Sequence, residues 1–270
     1  MNTRPGRVDS AFLSTVDMTN IPQAQQVDKS SVVHSMGARL SHCADWVTLA
    51  FDTPRPVLSS AVLGGGLGHS RRWLNLRVSG DAAHESFCES PQTTLADLCR
   101  RQGWEADTVA MMTAASMDSL RVRHTTLGAG GETLAVLVTS GMANARRAGD
   151  PAEYRALGEI PAETGTINLA VIASARLSGA ALVETVLVAT EAKAAVLQDL
   201  GIRSPVSGAI ATGTGTDAIA VFAGHGQAVH YAGKHTLFGE ALARLVLAAL
   251  ADSIHQTGPL AAGLDLGETP

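Results

Sequence analysis

The sequence predicts an α+β fold, a layered α/β sandwich in which a mixed, largely antiparallel sheet packs with a buried central helix. Two observations carry this prediction. Alternating or β-branched runs separated by turn residues recur through the first two thirds of the chain, whereas helical patterns are few. One long apolar segment, residues 178–200, distributes its apolar side chains around nearly the whole helical circumference. Because strands and helices do not alternate regularly, we do not expect a doubly wound parallel sheet.

Strand patterns dominate the chain before the central helix. The first 28 residues are polar and broken by Pro5, Gly6 and Pro22, so we expect a disordered tail over residues 1–28. Strands are then predicted at residues 31–36, 46–51, 57–63, 73–78, 109–115, 120–126, 134–139 and 167–173. A helix is predicted between the fourth and fifth of these strands, at residues 93–102.

Two long helices and one strand complete the predicted elements. Ser178 predicts an N-cap for the central helix, which ends at Leu200 because Gly201 is a stop signal. An apolar strand follows at residues 219–222, and an amphipathic helix at residues 237–255.

Length and composition favour one large domain. The chain has 270 residues, 46% of them hydrophobic, which is enough to bury one sizeable core. We expect this domain to cover residues 29–256. The last residues, 257–270, are rich in Gly and end in Pro, which predicts a flexible C-terminal tail.

Charge, cysteine content and apolar run lengths exclude several classes of protein. The net charge is -5 without a basic stripe, so we expect no nucleic-acid partner. No run of about 18 apolar residues is free of charge, so no membrane span is predicted. The 3 cysteines form no Cys-x-x-Cys, which favours a reducing, cytoplasmic location. His225, His230 and His235 recur every five residues, a spacing that shares no face, so no protein-held metal is predicted.

The central helix and the following loop carry the candidate catalytic residues. Glu191 and Lys193 lie in an otherwise apolar segment, and at about 100° per residue they face nearly opposite directions. The glycine-threonine loop at residues 211–218 contains Asp217, just before the next strand. Its glycines allow close backbone approach, and its N–H groups can bind a developing oxyanion. The structural alternatives are that Lys193 extends to solvent and that Asp217 caps its own turn.

Polar residues at strand ends and turns are candidate substrate-binding groups. An aromatic content of 4% and 27 glycines favour a surface made of backbone, Asn, Ser and Thr, which suits a ligand rich in amides or hydroxyls. Each of these side chains could equally hydrogen-bond its own loop. The candidates are Asn75, Ser140, Asn144, Thr166, Asn168, Gly213, Thr214, Gly215 and Thr216.

Several short segments, taken together and in order, carry a family resemblance. They are residues 63–78, Met111-Met-Thr-Ala-Ala-Ser-Met117, residues 138–146, Gly165-Thr-Ile-Asn168, Thr190-Glu-Ala-Lys193, Gly213-Thr-Gly-Thr-Asp217 and Tyr231-Ala-Gly-Lys-His-Thr236. This set resembles the adenosylcobinamide amidohydrolases. The resemblance implies hydrolysis of the amide between a corrinoid side chain and aminopropanol, giving adenosylcobyric acid for cobalamin salvage. It also implies that cobalt enters with the substrate and that the protein itself holds no cofactor.

Amide hydrolysis needs a base or nucleophile, a stabilised carbonyl oxygen and a proton for the leaving amine. We hypothesise that Glu191 or Asp217 is the general base, and that Lys193 and the loop N–H groups at residues 213–216 stabilise the oxyanion.

Other chemistries and functions stay open at this point. Ser140, Thr166 or Thr214 could act as a covalent nucleophile. The chain could also be a corrinoid carrier without catalysis, or hydrolyse the amide of another substrate. The sequence does not decide whether the chain forms a homo-oligomer.

Overall fold

The computed structural model describes residues 34–78, 90–105, 107–153 and 166–265. Its helices are α1 (Pro91–Gln102), α2 (Gly179–Asp199) and α3 (Leu237–His255). Its strands are β1 (Ala38–His42), β2 (Trp46–Ser59), β3 (Gly66–Arg77), β4 (Thr108–Thr113), β5 (Arg121–Leu127), β6 (Glu132–Ser140), β7 (Ala145–Arg146), β8 (Ile167–Ala173), β9 (Arg176–Leu177), β10 (Gly213–Thr214), β11 (Ala218–Phe222), β12 (Ala228–Val229) and β13 (Ala261–Gly263). No helix of these described ranges is long and apolar enough to cross a membrane.

The main sheet has nine strands. Their order is β13-β5-β6-β8-β11-β2-β3-β4, and β1 pairs with β2 outside this path. Neighbouring strands are antiparallel except in the pairs β13/β5, β8/β11 and β3/β4. Two short ribbons, β7 with β10 and β9 with β12, lie apart from this sheet. The predicted α+β class with a mixed, largely antiparallel sheet is confirmed.

The sheet curls so that its two halves share one core. Trp73, Val109 and Met111 of β3 and β4 pack in the same cluster as Leu137 of β6 and Ile172 of β8. Alternate residues of β6 and β8 point the other way, where α2 and α3 cover them. Helix α1 covers the second face of β3 and β4. In order, the layers are therefore α2 with α3, the two halves of the sheet, and α1. This arrangement agrees with the predicted sandwich.

One βαβ unit places the charged residues of the central helix. Strands β8 and β11 are parallel neighbours, and α2 lies between them in the chain. The helix begins after its N-cap residue Ser178, whose Oγ accepts a hydrogen bond from the N–H of Ala181 at 3.1 Å. Because α2 returns from the end of β8 toward the start of β11, its C-terminal half lies near the beginnings of both strands.

The first part of the sheet differs from the prediction. The strand predicted at residues 46–51 and the start of the strand predicted at residues 57–63 belong to one strand, β2, which passes through Pro54 and Pro56 and ends at Ser59. Pro54 lies at a register shift against β3, and Pro56 just precedes the residues paired with β11, so neither is needed as a ladder donor. The prediction of a strand at residues 31–36 is wrong from His34 onward, because the structure has a helical turn there.

The central helix is buried on one face only. Leu182, Ala189 and Leu197 pack into the core, whereas Val183 and Leu187 are 51% and 56% exposed. The prediction that apolar residues are covered around the whole circumference is therefore wrong, because α2 lies in an outer layer and has the sheet on one side.

The chain after α3 also differs from the prediction. Residues 261–263 form β13 beside β5, and the N–H of Leu264 donates to the carbonyl oxygen of His124 at 2.7 Å. Part of the predicted tail at residues 257–270 thus belongs to the sheet. The predicted tail at residues 1–28 lies outside the described residues.

Candidate active site

A buried ion pair joins α2 to the loop before β11. Nζ of Lys193 contacts Oδ2 of Asp217, and the two side chains are only 8% and 11% exposed. The βαβ connection explains the contact, since it brings the C-terminal half of the helix to the start of the strand. Two of the three predicted catalytic residues are therefore direct neighbours.

Asp217 accepts hydrogen bonds from four donors. Its Oδ1 accepts from the N–H of Ile167 at 2.9 Å and from Oγ1 of Thr214. Its Oδ2 accepts from the N–H of Thr214 at 3.0 Å and from Lys193. A carboxylate offers about four lone-pair sites, so protein donors occupy all of them. The carboxylate is fixed in place, and a water can approach it only by displacing a donor.

Gly213 gives the ion pair the space that it needs. A Cβ at this position would lie 2.8 Å from Nζ of Lys193, and it would lie closer still to Oδ2 of Asp217. Gly213 belongs to β10, which pairs with β7 and so fixes the loop. The close approach predicted for this glycine is real, but the approaching groups are side chains of the protein.

The ion pair lines a cleft beside α2. The cleft has a volume of about 330 Å³ and opens to solvent. Val186, Thr190 and Lys193 line it from one face of the helix. The remaining lining residues come from the end of β2 and the start of β11, and are Leu58, Ser59, Ser60, Asp217 and Ile219. Its size lies at the lower end of known ligand sites.

Sequence reasoning missed the serines of this cleft. Oγ of Ser59 donates to the carbonyl oxygen of Ile219 at 2.9 Å, and Oγ of Ser60 accepts from the N–H of Ile219 at 3.1 Å. The sequence shows two serines at a strand end, which is an ordinary turn signal. Only the pairing of β2 with β11, which are far apart in the chain, brings them to the cleft.

Other residues of the glycine-threonine loop stabilise the loop itself. Oγ1 of Thr166 donates to the carbonyl oxygen of Thr216 at 2.8 Å, which ties the start of β8 to the loop. Gly215 and Thr216 are exposed. Thr214 differs from them because its hydroxyl donates to Asp217.

Glu191 lies outside this cluster. Its Oε2 contacts Nζ of Lys234, and the two side chains are 56% and 65% exposed. Glu191 and Lys193 face different sides of α2, as their spacing predicts. The structure does not bring Glu191 to Lys193 and Asp217, which removes the geometric basis for Glu191 as the base.

Three other predicted binding residues have partners inside the fold. Nδ2 of Asn75 donates to Oγ1 of Thr139 at 2.8 Å, and its Oδ1 accepts from Nδ2 of Asn168 at 2.7 Å. Oγ of Ser140 lies 2.7 Å from Oγ of Ser253 in α3. Since Asn75 and Asn168 are fully buried, their network links the two halves of the sheet. None of the three lines the cleft.

Asn144 differs from these buried polar residues. It is only 7% exposed, yet among the described residues neither its Nδ2 nor its Oδ1 has a hydrogen-bond partner. It lies beside the glycine-threonine loop, as its short distance to Gly215 shows. A Cβ placed on Gly215 would be 3.3 Å from Nδ2 of Asn144.

The cluster combines a hydroxyl, a carboxylate and an ammonium group. A hydroxyl that donates to a carboxylate has the geometry of a nucleophile beside its base. An ammonium group held next to them can stabilise negative charge on a carbonyl oxygen. Within the described ranges, no group of three or more His, Cys, Asp and Glu side chains could hold a metal ion. The residues present are suited to acyl-transfer chemistry.

Comparison with known proteins identifies the relatives of this chain. The profile of the adenosylcobinamide amidohydrolase family matches residues 29–262. A Methanosarcina mazei protein named adenosylcobinamide amidohydrolase is 28% identical over 168 residues, which cover 58% of this chain and 72% of that protein. An uncharacterized protein of Methanocaldococcus jannaschii is 44% identical over 85 residues, 31% of this chain. That match spans only 33% of the relative's own length.

Two solved structures align with this chain over most of its length. A protein of Pyrococcus horikoshii OT3 has a TM-score of 0.42 at 12% identity, covering 80% of this chain and 79% of that one. The L-aminopeptidase D-Ala-esterase/amidase of Ochrobactrum anthropi has a TM-score of 0.39 at 14% identity, covering 86% and 80%.

The family match defines the class of the protein as a hydrolase of amide bonds. More particularly, the chain belongs to the adenosylcobinamide amidohydrolase family.

Proposed function

We propose that the chain hydrolyses the amide between the corrinoid side chain of adenosylcobinamide and aminopropanol, giving adenosylcobyric acid for cobalamin salvage. Family membership supports the substrate class. Two observations carry the proposed site. Lys193 and Asp217 lie on the wall of an open cleft, and Asp217 also accepts a hydrogen bond from the hydroxyl of Thr214 behind that wall. The cobalt of the substrate arrives with the corrinoid.

The cleft has room for the amide arm of this substrate. A volume of about 330 Å³ suits a side chain, whereas a corrinoid ring with its adenosyl ligand is much larger. We therefore place the ring at the rim, where Leu67 is 74% exposed. Leu67 pairs with Leu58 of the cleft across β2 and β3, so the two side chains lie on the same face of the sheet. An apolar rim beside a polar cleft suits a flat ring with an amide arm.

Thr214 is the nucleophile in this proposal. Its proton can pass to Oδ1 of Asp217 without rearrangement, whereas activation of a water would displace one of the four donors. Attack of Oγ1 on the amide carbon forms a tetrahedral intermediate, and its collapse releases aminopropanol, which takes up the proton. The ester left on Thr214 is then hydrolysed by water to the carboxylic acid, which restores the hydroxyl.

Lys193 stabilises the negative charge of that intermediate. Its ammonium group is held on the cleft wall by Asp217 and has further N–H donors for the substrate oxygen. The N–H of Thr214 is already used by Asp217, so it cannot serve as the oxyanion donor that the sequence suggested.

The test is incubation of the purified full chain with adenosylcobinamide, followed by mass spectrometry for adenosylcobyric acid and aminopropanol. We expect both products from the unaltered chain and neither from Thr214→Val, with slower turnover in Thr214→Ser. Rapid quenching should trap an ester on the protein, detected by intact mass. Full turnover of Thr214→Val would overturn the nucleophile assignment and favour attack by water. Tight binding without cleavage would favour a carrier, and no binding would show that the substrate is wrong.

A further inference from the structure

The amide group of Asn144 is an exception among the buried asparagines of the described fold. Asn75 and Asn168 are fully buried, and their side chains are hydrogen-bonded to each other and to further partners. Asn144 is buried almost as deeply, but its Nδ2 and Oδ1 have no partner within the described residues. A buried amide without partners lowers stability, so its presence calls for an explanation.

The position of Asn144 offers that explanation. Asn144 directly precedes β7, whose Ala145 pairs with Thr214 of β10. Nδ2 of Asn144 lies 3.3 Å from the place where a side chain on Gly215 would start. Since Gly215 has no side chain, the buried amide group lies close to the loop next to Thr214.

We propose that Nδ2 of Asn144 donates a hydrogen bond to the carbonyl oxygen of the scissile amide and holds the oxyanion that forms there. This inference rests on the proposed function. A side-chain amide donor beside a nucleophile is suited to this task, because it is kept out of water and its N–H group has no competing partner in the described fold. The missing partner of Asn144 is then the substrate itself.

The inference predicts opposite effects on stability and on turnover. Asn144→Leu replaces the amide by an apolar side chain of similar size and removes an unpaired buried polar group. We expect the Tm to stay unchanged or to rise by a few degrees. We expect kcat to fall about 100-fold or more while KM changes little, because the lost bond acts in the transition state. Asn144→Asp keeps an acceptor but removes the donor, so its kcat should be as low.

Asn75→Leu is the matched control for stability. It also replaces a buried asparagine by leucine, but it leaves Thr139 and Asn168 without their partner. Its Tm should fall by several degrees, in contrast to Asn144→Leu.

The experiment compares Tm by calorimetry with kcat and KM for adenosylcobinamide in the full chain. If Asn144→Leu or Asn144→Asp keeps its kcat while the unaltered chain is active, only this inference is overturned. A higher KM with unchanged kcat would also overturn it, since it would indicate ground-state binding. A large fall in the Tm of Asn144→Leu would assign the residue to the fold instead. If the unaltered chain releases no aminopropanol, the proposed function fails and the inference falls with it.

Discussion

Helix α2 presents two lysine-carboxylate pairs from neighbouring positions, and they differ in almost every physical respect. Lys193 and Asp217 are 8% and 11% exposed, and further donors surround the carboxylate. Glu191 and Lys234 are 56% and 65% exposed. Two residues of separation on the helix thus decide between a cleft wall and the solvent. A charged residue in an apolar helix therefore indicates a site only when it is known which face of the helix the residue occupies.

Burial changes what each pair does for the molecule. An exposed pair is screened by water and salt, and it typically contributes about 0–1 kcal/mol to stability. A buried pair contributes little net stability, but removal of one partner leaves a charge without compensation. The buried pair of α2 is thus costly to break, and its position on a cleft wall makes it useful for chemistry. The following predictions test this contrast.

Replacement of Lys193 should have the largest effect. Lys193→Met keeps an apolar stem but leaves the Asp217 carboxylate buried without its cation. We expect the free energy of unfolding to fall by about 3 kcal/mol, measured by urea denaturation. Turnover of adenosylcobinamide should fall about 100-fold to 1,000-fold, since the charge that stabilises the oxyanion is lost. A variant with normal turnover would remove Lys193 from the mechanism.

Replacement of both partners should separate stability from catalysis. Asp217→Asn alone leaves the Lys193 ammonium without its carboxylate, so it should be destabilising and nearly inactive. The double variant Lys193→Met with Asp217→Asn has no unpaired charge, and we expect it to recover about 1–3 kcal/mol relative to the sum of the single changes. Activity should not recover. Additive stabilities in this double-mutant cycle would show that the two groups do not interact.

A smaller loss should follow from filling the space at Gly213. Gly213→Ala places a methyl group against both Asp217 and Nζ of Lys193 without changing any charge. We expect a loss of about 1–3 kcal/mol from this overpacking, and a loss of turnover smaller than that in Lys193→Met. Gly179→Ala is a suitable comparison, because Gly179, like Gly213, has no positive φ and no atom lies within 4 Å of its added Cβ. If both glycine variants lose turnover equally, the effect does not come from the ion pair.

The sequence predicted most of the fold because local patterns determine most of its elements. The strand at residues 167–173 and the helix at residues 237–255 agree with β8 and α3 at both ends. Where the prediction is wrong, the cause is non-local. Pro54 and Pro56 led the sequence pattern to predict two separate strands. In the structure they lie where their missing N–H groups are not needed. The exposure of Leu187 reflects the position of α2 in an outer layer, which periodicity does not report.

The geometry of the candidate site could be predicted only in part for the same reason. Lys193 and Asp217 stood out locally, as charged residues in an apolar helix and in a glycine loop, and the structure joins them. The sequence could not assign Glu191, because a helical wheel gives relative directions but not which face meets the sheet. Ser59 was missed since it reaches the cleft through strand pairing alone.

The smallest expected effect concerns the exposed pair. Glu191→Gln and Lys234→Met each remove one partner, but the other remains in water, so no charge is left buried. We expect the free energy of unfolding to change by less than about 1 kcal/mol, and this small difference should vanish in about 1 M salt. Turnover should be unchanged, which a side-by-side assay with Lys193→Met would measure. If Glu191→Gln abolished turnover while Lys234→Met did not, the carboxylate itself would be required. The substrate would then extend across α2 to its exposed face, and the contrast between the two pairs would not separate structure from catalysis.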